Sequence, residues 1–265
     1  MMKRTFATLA TLAILSGCNG EGGNGRLSQI YQEQQQNGTG VGIGGVGGVG
    51  GVGGVGGGNQ TAPNTIYKKD GIYVNEQDLV VMLVDTDLYW KSVVVGDYTN
   101  SAIYVGDFGT VNKNTMQTRG LYYVDLNTYY YEPTTKINYT FTATGANASS
   151  VINGQNFAYS FKRAPDSKPL AEIVGTHTNP DDGSTWTINA DGSFIVNGEC
   201  TLSGKFIRVD GYYTAKNTSA SGCNDATFND TNYEARMVTA IHKGTTYLLG
   251  VAMNHNKMLW GSAPI

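Results

Sequence analysis

The residues with the greatest chemical potential in this 265-residue chain are three cysteines and three histidines. A histidine can act as a general base or a metal ligand, and a cysteine can be alkylated, oxidised to a disulfide or bound to a metal. The histidines lie far apart in the sequence, and none has a second ligand at a metal-binding spacing. We therefore expect ordinary hydrogen-bonded positions for His177, His242 and His255.

Other catalytic patterns are missing from the sequence. It contains no G-x-S-x-G, S-x-x-K or H-E-x-x-H motif and no phosphate-binding loop. Asp181 and Asp182 lie in a segment whose composition is typical of a turn rather than of a calcium loop. We therefore expect no enzymatic activity, no cofactor and no bound metal.

The N-terminus places one cysteine, Cys18, directly after a short apolar segment. Lys3 and Arg4 precede an uncharged run from Phe6 to Leu15, which is the pattern of a secretory signal. Its apolar core is shorter than the roughly 20 residues of a membrane-spanning helix. The sequence Leu-Ser-Gly-Cys that ends at Cys18 resembles the lipobox of bacterial lipoproteins. The resemblance implies a signal peptide over 1–17, cleavage before Cys18, a lipid on its sulfur through a thioether, and acylation of the new N-terminus.

Such a lipid makes the membrane the first expected partner, because two or more acyl chains hold a protein stably on a bilayer. Asn19, rather than aspartate, follows the cysteine, and in the lipoprotein pattern of enteric bacteria this favours the outer membrane. Two alternatives stay open. The protein could be retained at the inner membrane, or Cys18 could be an incidental residue of an ordinary secretory signal.

With Cys18 assigned to the lipid, Cys200 and Cys223 remain as an even pair in an exported protein. We expect them to form a disulfide, with two free thiols as the alternative. A metal site is disfavoured because no further ligands lie near either cysteine.

Composition separates a tether from a folded part. Of the 36 glycines, 18 fall between Gly20 and Gly58, where isolated valines cannot build a core. Residues 18–65 are therefore predicted to be the lipid anchor and a flexible glycine-rich tether. A G-x-G-x-x-G match within it lacks a preceding strand and a following helix. The net charge of −3 and the pI near 5.6 give no indication of nucleic-acid binding.

The folded part is predicted to be all-β, since no long window has helical periodicity. Apolar and β-branched runs separated by turn residues predict strands. These runs are Leu79–Val84, Val93–Val95, Ser101–Val111, Met116–Tyr123, Ile137–Ala143, Asn156–Phe161, Thr185–Ile188, Ser193–Val196, Tyr233–Ile241, Thr246–Met253 and Lys257–Trp260. Cys200 alternates with Leu202, Gly204 and Phe206 on one face, so it should be buried.

An internal repeat, which we call the internal echo, indicates that this part consists of two similar lobes. Gly71, Asn75, Asp78 and Asp87 recur 104 residues later as Gly175, Asn179, Asp182 and Asp191. We therefore expect a first β lobe over 66–166 and a second over 167–265, which contains the disulfide. Antiparallel lobes of this size form small barrels or sandwiches, because these remove exposed strand edges.

Four segments resemble a group of poorly characterised, β-rich bacterial lipoproteins that often carry a low-complexity tether. The segments are Gly71–Tyr73, Asn189–Ser193, Gly198–Lys205 and Tyr247–Ala252. Those proteins have a Gly-Cys-x-x-x-Gly strand, whereas Glu199 separates the glycine and the cysteine here. The resemblance implies a β-rich lipoprotein and no particular activity. The order of lipid, tether and β lobes is also similar to that of surface lipoproteins that bind host factors.

Tyrosine is the most over-represented large residue, with 16 of 17 after residue 60. Tyr129, Tyr130 and Tyr131 are the candidate binding surface, which we expect to be a contact loop. Exposed tyrosines give a binding surface large contact area with little entropy to lose. Tyrosine also fits half-buried β surfaces without any binding role.

The sequence therefore predicts a non-enzymatic outer-membrane lipoprotein whose β domain binds a protein or a glycan, as a surface receptor or adhesin does. One alternative is an immunity-type lipoprotein that neutralises a toxic effector in the periplasm. The other is a structural protein of the cell envelope.

Overall fold

The computed structural model describes residues 65–152 and 154–265. Cys18, the predicted signal peptide and nearly all of the predicted tether lie outside these residues. The described part consists of two antiparallel β lobes with little helix, which confirms the predicted all-β class. No helix in this part of the chain has the length and apolar character needed to span a membrane.

The first lobe is a closed antiparallel barrel of eight strands. The eighth strand returns to the first, with Tyr73 opposite Arg163, so the barrel has no free edge. The strands are β1 (Gly71–Asn75), β2 (Val80–Val84), β3 (Trp90–Asp97), β4 (Ala102–Asn112), β5 (Thr115–Val124), β6 (Tyr129–Phe141), β7 (Gly145–Ile152) and β8 (Gln155–Arg163).

The second lobe is one antiparallel sheet that begins after a short helix, α1 (Leu170–Ile173). Its strands are β9 (Gly175–Thr178), β10 (Thr185–Ile188), β11 (Ser193–Asn197), β12 (Thr201–Lys205), β13 (Ile207–Val209), β14 (Tyr212–Ser221), β15 (Asp230–His242), β16 (Thr245–Met253) and β17 (Met258–Pro264). A 3-10 turn (Ala226–Phe228) precedes β15. β9 and β17 are the two ends of the sheet order, and the sheet curls until they approach each other.

The strand β2 shows why this sequence forms a fully buried strand. All five residues of Val80–Val84 are buried. Val80 lines the interior of the first barrel, whereas Val81 and Leu83 pack outward against Val238 and Leu249 of the second lobe. Burial on both faces explains a continuous apolar run where a half-buried strand would alternate.

The two lobes form one compact unit. One interlobe cluster joins β1 and β2 to β15 and β16, with Ile72 and Val74 meeting Ala240. A second joins β3, β4 and β5 to β16 and β17, with Val105 and Met258 among its members. A third cluster fills the interior of the second lobe around Trp186 and Phe194.

The internal echo corresponds to equivalent positions in the two lobes. Gly71 and Gly175 begin β1 and β9 with φ of 138° and 140°, a backbone conformation that favours glycine. Gly71 pairs with Val84 and Gly175 with Ile188, so the pairing partners are also 104 residues apart.

Most predicted strands are present, with different bounds at several ends. The predicted hairpin of Thr185–Ile188 and Ser193–Val196 is confirmed by the pairing of β10 with β11. The sequence predicted neither β7 nor β14. The last strand was predicted to end at Trp260, whereas β17 continues to Pro264.

Candidate binding surface

A group of aromatic side chains lies on the outside of the first lobe where β3 pairs with β4. Trp90 lies directly opposite Phe108 in the ladder, and their ring centroids are 4.8 Å apart at a steep interplanar angle. Tyr89 packs against the same phenylalanine at 5.5 Å. Tyr89 is 68% exposed and Trp90 53% exposed. Two large rings are thus held in place by a third and remain open to solvent.

A second group lies on the neighbouring strands β5 and β6. Tyr122 and Tyr131 are cross-strand partners and stack with their centroids 4.3 Å apart. The ring centroid of Tyr129 lies 6.3 Å from that of Tyr122, and Tyr129 is 42% exposed. Aromatic pairs of this kind stabilise a sheet and hold its side chains in fixed positions.

Adjacent residues link the two groups into one surface. Lys91 follows Trp90, and its Nζ lies 5.6 Å from the ring centroid of Tyr122. Asp107 precedes Phe108 and accepts a 3.0 Å hydrogen bond from the hydroxyl of Tyr131. We call the combined set the aromatic surface, which comprises Tyr89, Trp90, Phe108, Tyr122, Tyr129 and Tyr131.

Irregular pairing lies next to this surface. The β3–β4 ladder shifts register between Trp90 and Val93, and the β5–β6 ladder shifts between Arg119 and Leu121. Lys91 has a φ of 54° and Gly120 a φ of 91°, so both adopt the left-handed conformation that bulges use. Bulges commonly redirect side chains at functional positions, and these lie beside the exposed rings.

Asp107 is buried beneath the aromatic surface. Its side chain is 1% exposed; Tyr131 binds Oδ2, while Oδ1 has no hydrogen-bond partner. Loss of solvent raises the pKa of Asp107 above its usual range. Burial, reinforced by the hydrogen bond to Asp107, raises the pKa of Tyr131 to about 12. Tyr131 is therefore a neutral hydrogen-bond donor at any physiological pH.

Lys91 connects the aromatic surface to the second lobe. Its Nζ donates a 3.2 Å hydrogen bond to the carbonyl oxygen of Asn254, and its own carbonyl oxygen accepts one of 2.5 Å from Arg236. Burial, followed by repulsion from Arg236, lowers the pKa of Lys91. The surface is thereby fixed relative to both lobes and is not a mobile loop.

The structure places the three predicted tyrosines at the start of β6, so the expectation of a contact loop is wrong. The hydrogen-bond ladder with Tyr122, Tyr123 and Val124 makes this segment a strand. Tyr130 pairs with Tyr123, opposite in direction to its two neighbours, and donates to Oε2 of Glu132 at 3.1 Å. Tyr129 and Tyr131 therefore share the aromatic surface, and Tyr130 does not.

Tyr89, Trp90 and Phe108 belong to the aromatic surface but were not singled out in the sequence. Adjacent Tyr89 and Trp90 at the end of a predicted hairpin turn were the available signal. Their relation to Phe108 depends on pairing across the sheet and could not be read from spacing.

The predicted disulfide is confirmed, since Cys200 and Cys223 are bonded and Cys200 is buried. The histidines lie in separate elements: His177 in β9, His242 at the end of β15, and His255 between β16 and β17. Within residues 65–152 and 154–265, no three histidine, cysteine or acidic side chains form a group that could hold a metal. Asp182 accepts the backbone N–H of Ser184, as expected for a turn.

Comparisons with protein families, curated proteins and solved structures found no match to this chain.

Proposed function

We propose that this protein is a non-enzymatic, lipid-anchored binding module whose first lobe captures a protein through the aromatic surface. The observation that carries the proposal is the presence of two groups of three packed aromatic rings on the neighbouring strands β3 to β6, with three of the six rings more than 40% exposed. Single exposed apolar residues are ordinary, whereas a contiguous group is typical of an interaction site. Tyrosine and tryptophan are also enriched among the residues that dominate binding energy.

A protein partner is favoured over a glycan by the polar groups around the rings. A glycan needs free donors and acceptors beside the aromatic faces to bind its hydroxyl groups. Here the nearest polar groups are engaged or buried. Glu132 accepts from Tyr130 and Lys91 donates to Asn254. Asp107 accepts from Tyr131 through Oδ2, and its other oxygen is buried away from solvent. The aromatic surface therefore offers mainly ring faces and edges, which suit the apolar centre of a protein interface.

The proposed anchor is a lipid on Cys18, followed by the glycine-rich tether. The support is the Leu-Ser-Gly-Cys sequence at the end of a secretory-type segment. A flexible tether would let the aromatic surface sample partners at a distance from the outer membrane.

Site-specific photo-crosslinking in the full-length protein tests the binding surface. A photoreactive residue at Tyr89 should crosslink to one defined protein in the native cells, and the same residue at Ile207 of the second lobe should not. Ile207 is a matched control because it is also exposed, at 59%. A Trp90→Ala, Tyr129→Ala variant should bind that purified protein at least about tenfold more weakly, since each ring removed from an interface centre costs about 1–2 kcal/mol.

Equal affinity of this variant and the wild type would reject the proposed surface. A glycan array probed with the same pair would redirect the proposal to a glycan if it gave binding that depends on Trp90. Crosslinks of equal yield from Tyr89 and Ile207 would show non-specific proximity.

Metabolic labelling with palmitate tests the anchor. The wild type should incorporate label and fractionate with the outer membrane, and Cys18→Ala should do neither. Protease treatment of intact cells then separates the location hypotheses. Digestion supports a surface receptor, whereas protection favours the periplasmic immunity-type or envelope-structural alternatives.

A further inference from the structure

The interior of the second lobe contains a cavity of about 120 Å³. Most of its lining is apolar or glycine, including Trp186, Phe194, Leu202, Gly250, Ala252 and Leu259. Its lining also includes Asp182, Gly198 and Glu199, which are exposed and therefore mark its mouth. An apolar cavity of about 150 Å³ accommodates benzene, so this space suits a molecule of about that size.

Two buried polar atoms belong to residues that line this cavity and lack a hydrogen-bond partner. They are Nε1 of Trp186 and Oγ1 of Thr218, in side chains that are 5% and 0% exposed. A buried polar group without a partner costs about 1–3 kcal/mol, so such groups are normally satisfied by protein, water or a ligand. A polar atom inside the cavity could therefore supply the hydrogen-bond partner that both residues lack.

The position of Trp186 is set by two glycines. A Cβ on Gly250 would lie 2.7 Å from Cη2 of the indole, and one on Gly261 would lie 3.3 Å from Cζ2. The ring therefore lies closely against β16 and β17, and glycine at these positions makes this packing possible. The indole N–H is consequently held in place before any ligand arrives.

We propose that the cavity of the second lobe is a binding site for a small, neutral, mainly apolar molecule with a hydroxyl group, such as a phenol. Its hydrocarbon part fills the apolar lining, and its oxygen supplies the partner that Trp186 Nε1 and Thr218 Oγ1 lack. Arg236 also belongs to the lining, but its guanidinium is directed to the first lobe, where it donates to the carbonyl oxygen of Lys91. The charged side chains at the mouth are therefore those of Asp182 and Glu199, and they disfavour a carboxylate of the same size. This site is separate from the aromatic surface, which lies on the first lobe.

The first barrel provides a natural comparison. Its interior holds a cavity of only about 30 Å³, lined by residues such as Ala148 and Tyr139. That volume leaves room for only a few water molecules, so a phenol does not fit there. Substitutions at Ala148 and Ala252 therefore change matched positions, one in each lobe.

Ligand-observed NMR and calorimetry on the full chain test the proposal, with phenol, benzene and benzoate as probes. Phenol should bind with a dissociation constant of about 1 mM or tighter, as expected for seven heavy atoms in a preformed apolar site. Benzoate should bind at least about tenfold more weakly. Thr218→Val should weaken phenol about fivefold and leave benzene unchanged, because a single hydrogen bond is worth about 1 kcal/mol.

Ala252→Val adds bulk to the cavity and should abolish phenol binding, while Ala148→Val should leave it unchanged. Thermal unfolding of each variant shows whether the fold is retained. If Ala252→Val does not fold, Thr218→Val together with the benzoate comparison decides the question. The proposal is overturned if no neutral probe binds the wild type, if benzoate binds as well as phenol, or if Ala252→Val and Ala148→Val have equal effects.

Discussion

Tyr212 of the second lobe donates a 2.5 Å hydrogen bond to Oδ2 of Asp85 in the first lobe, 127 residues earlier in the chain. Both side chains are buried, at 3% and 5% exposure. Arg236 lies nearby, is 4% exposed, and crosses between the lobes to the carbonyl oxygen of Lys91. Burial lowers the pKa of Arg236, and the nearby carboxylates of Glu234 and Asp85 partly oppose this effect. The lobes are thus joined by directional polar contacts as well as by apolar packing.

Removing the hydroxyl in Tyr212→Phe should destabilise the protein by about 1–3 kcal/mol, because Oδ2 of Asp85 stays buried without this partner. Urea unfolding measures the change. Tyr89→Phe is the matched control, since it removes an exposed hydroxyl and should change the free energy of unfolding by less than about 0.5 kcal/mol. Equal effects of the two substitutions would mean that the interlobe hydrogen bond adds nothing to stability.

Stability should fall steeply at alkaline pH because several tyrosines are buried. Burial raises the pKa of Tyr73 and of Tyr233 to about 12, whereas a tyrosine in the unfolded chain titrates near 10. Their contribution is fully present below pH 10 and is lost as the pH rises from about 10 to 12, where only the unfolded chain releases the proton. Each such tyrosine lowers the free energy of unfolding by about 1.4 kcal/mol per pH unit in that window.

Urea titrations at closely spaced pH values, with tyrosinate absorbance recorded in parallel, measure this dependence. Tyr233→Phe should reduce the slope by the contribution of one tyrosine. A free energy of unfolding that stays flat above pH 10 would contradict the burial argument.

The sequence predicts those parts of the fold where apolar residues alternate or run continuously. It therefore found β2, β10, β11, β15 and β16. It missed β7 and β14. After Tyr212 and Tyr213 at the start of β14, the buried positions of these strands are occupied by small residues such as Ala146, Ala148, Ala215 and Ala220. Alanine carries little hydrophobic contrast with the serine, asparagine and threonine around it, so the period of two is not visible.

The candidate site is only partly predictable for a related reason. A run of three tyrosines identifies Tyr129 and Tyr131, but the opposite direction of Tyr130 follows from its place in a paired strand. Trp90 and Phe108 meet through a ladder that joins residues 18 positions apart. The cavity around Trp186 and Thr218 depends on how the second sheet curls, which no local pattern in the sequence specifies.

The disulfide should stabilise the second lobe by about 3–4 kcal/mol in a chain-entropy model, because it closes a loop of 23 residues. Unfolding with and without reductant should show this difference. A Cys200→Ala, Cys223→Ala variant should match the reduced wild type and should not respond further to reductant. A reductant effect of equal size in that variant would place its cause elsewhere in the chain.

Each lobe also has an arginine that holds its entry segment, and these two arginines give a paired prediction. Arg163 donates to the carbonyl oxygens of Lys68 and Asp70 at 2.7 and 2.5 Å, and to the hydroxyl of Tyr73 at 2.8 Å. The guanidinium carbon also lies 5.3 Å from that tyrosine ring. The residues just before β1 are thereby held by one side chain.

Arg208 repeats this arrangement in the second lobe. It donates to the carbonyl oxygens of Lys168 and Ser167 at 2.9 and 2.6 Å and to the hydroxyl of Tyr213 at 3.2 Å. A lysine cannot reproduce the planar fork that serves two carbonyls at once. Arg163→Lys and Arg208→Lys should therefore each destabilise the protein by about 1–3 kcal/mol.

In the double variant the free energy of unfolding should fall by the sum of the two single changes, because the arginines share no hydrogen-bond partner. Urea unfolding of the two single variants and the double variant measures this. Lys162→Arg is the control: Lys162 makes one exposed ion pair with Glu76, at 3.3 Å, and pairs of this kind are worth at most about 1 kcal/mol. If Arg163→Lys were as mild as Lys162→Arg, the carbonyl contacts of the guanidinium would not stabilise the lobe entry.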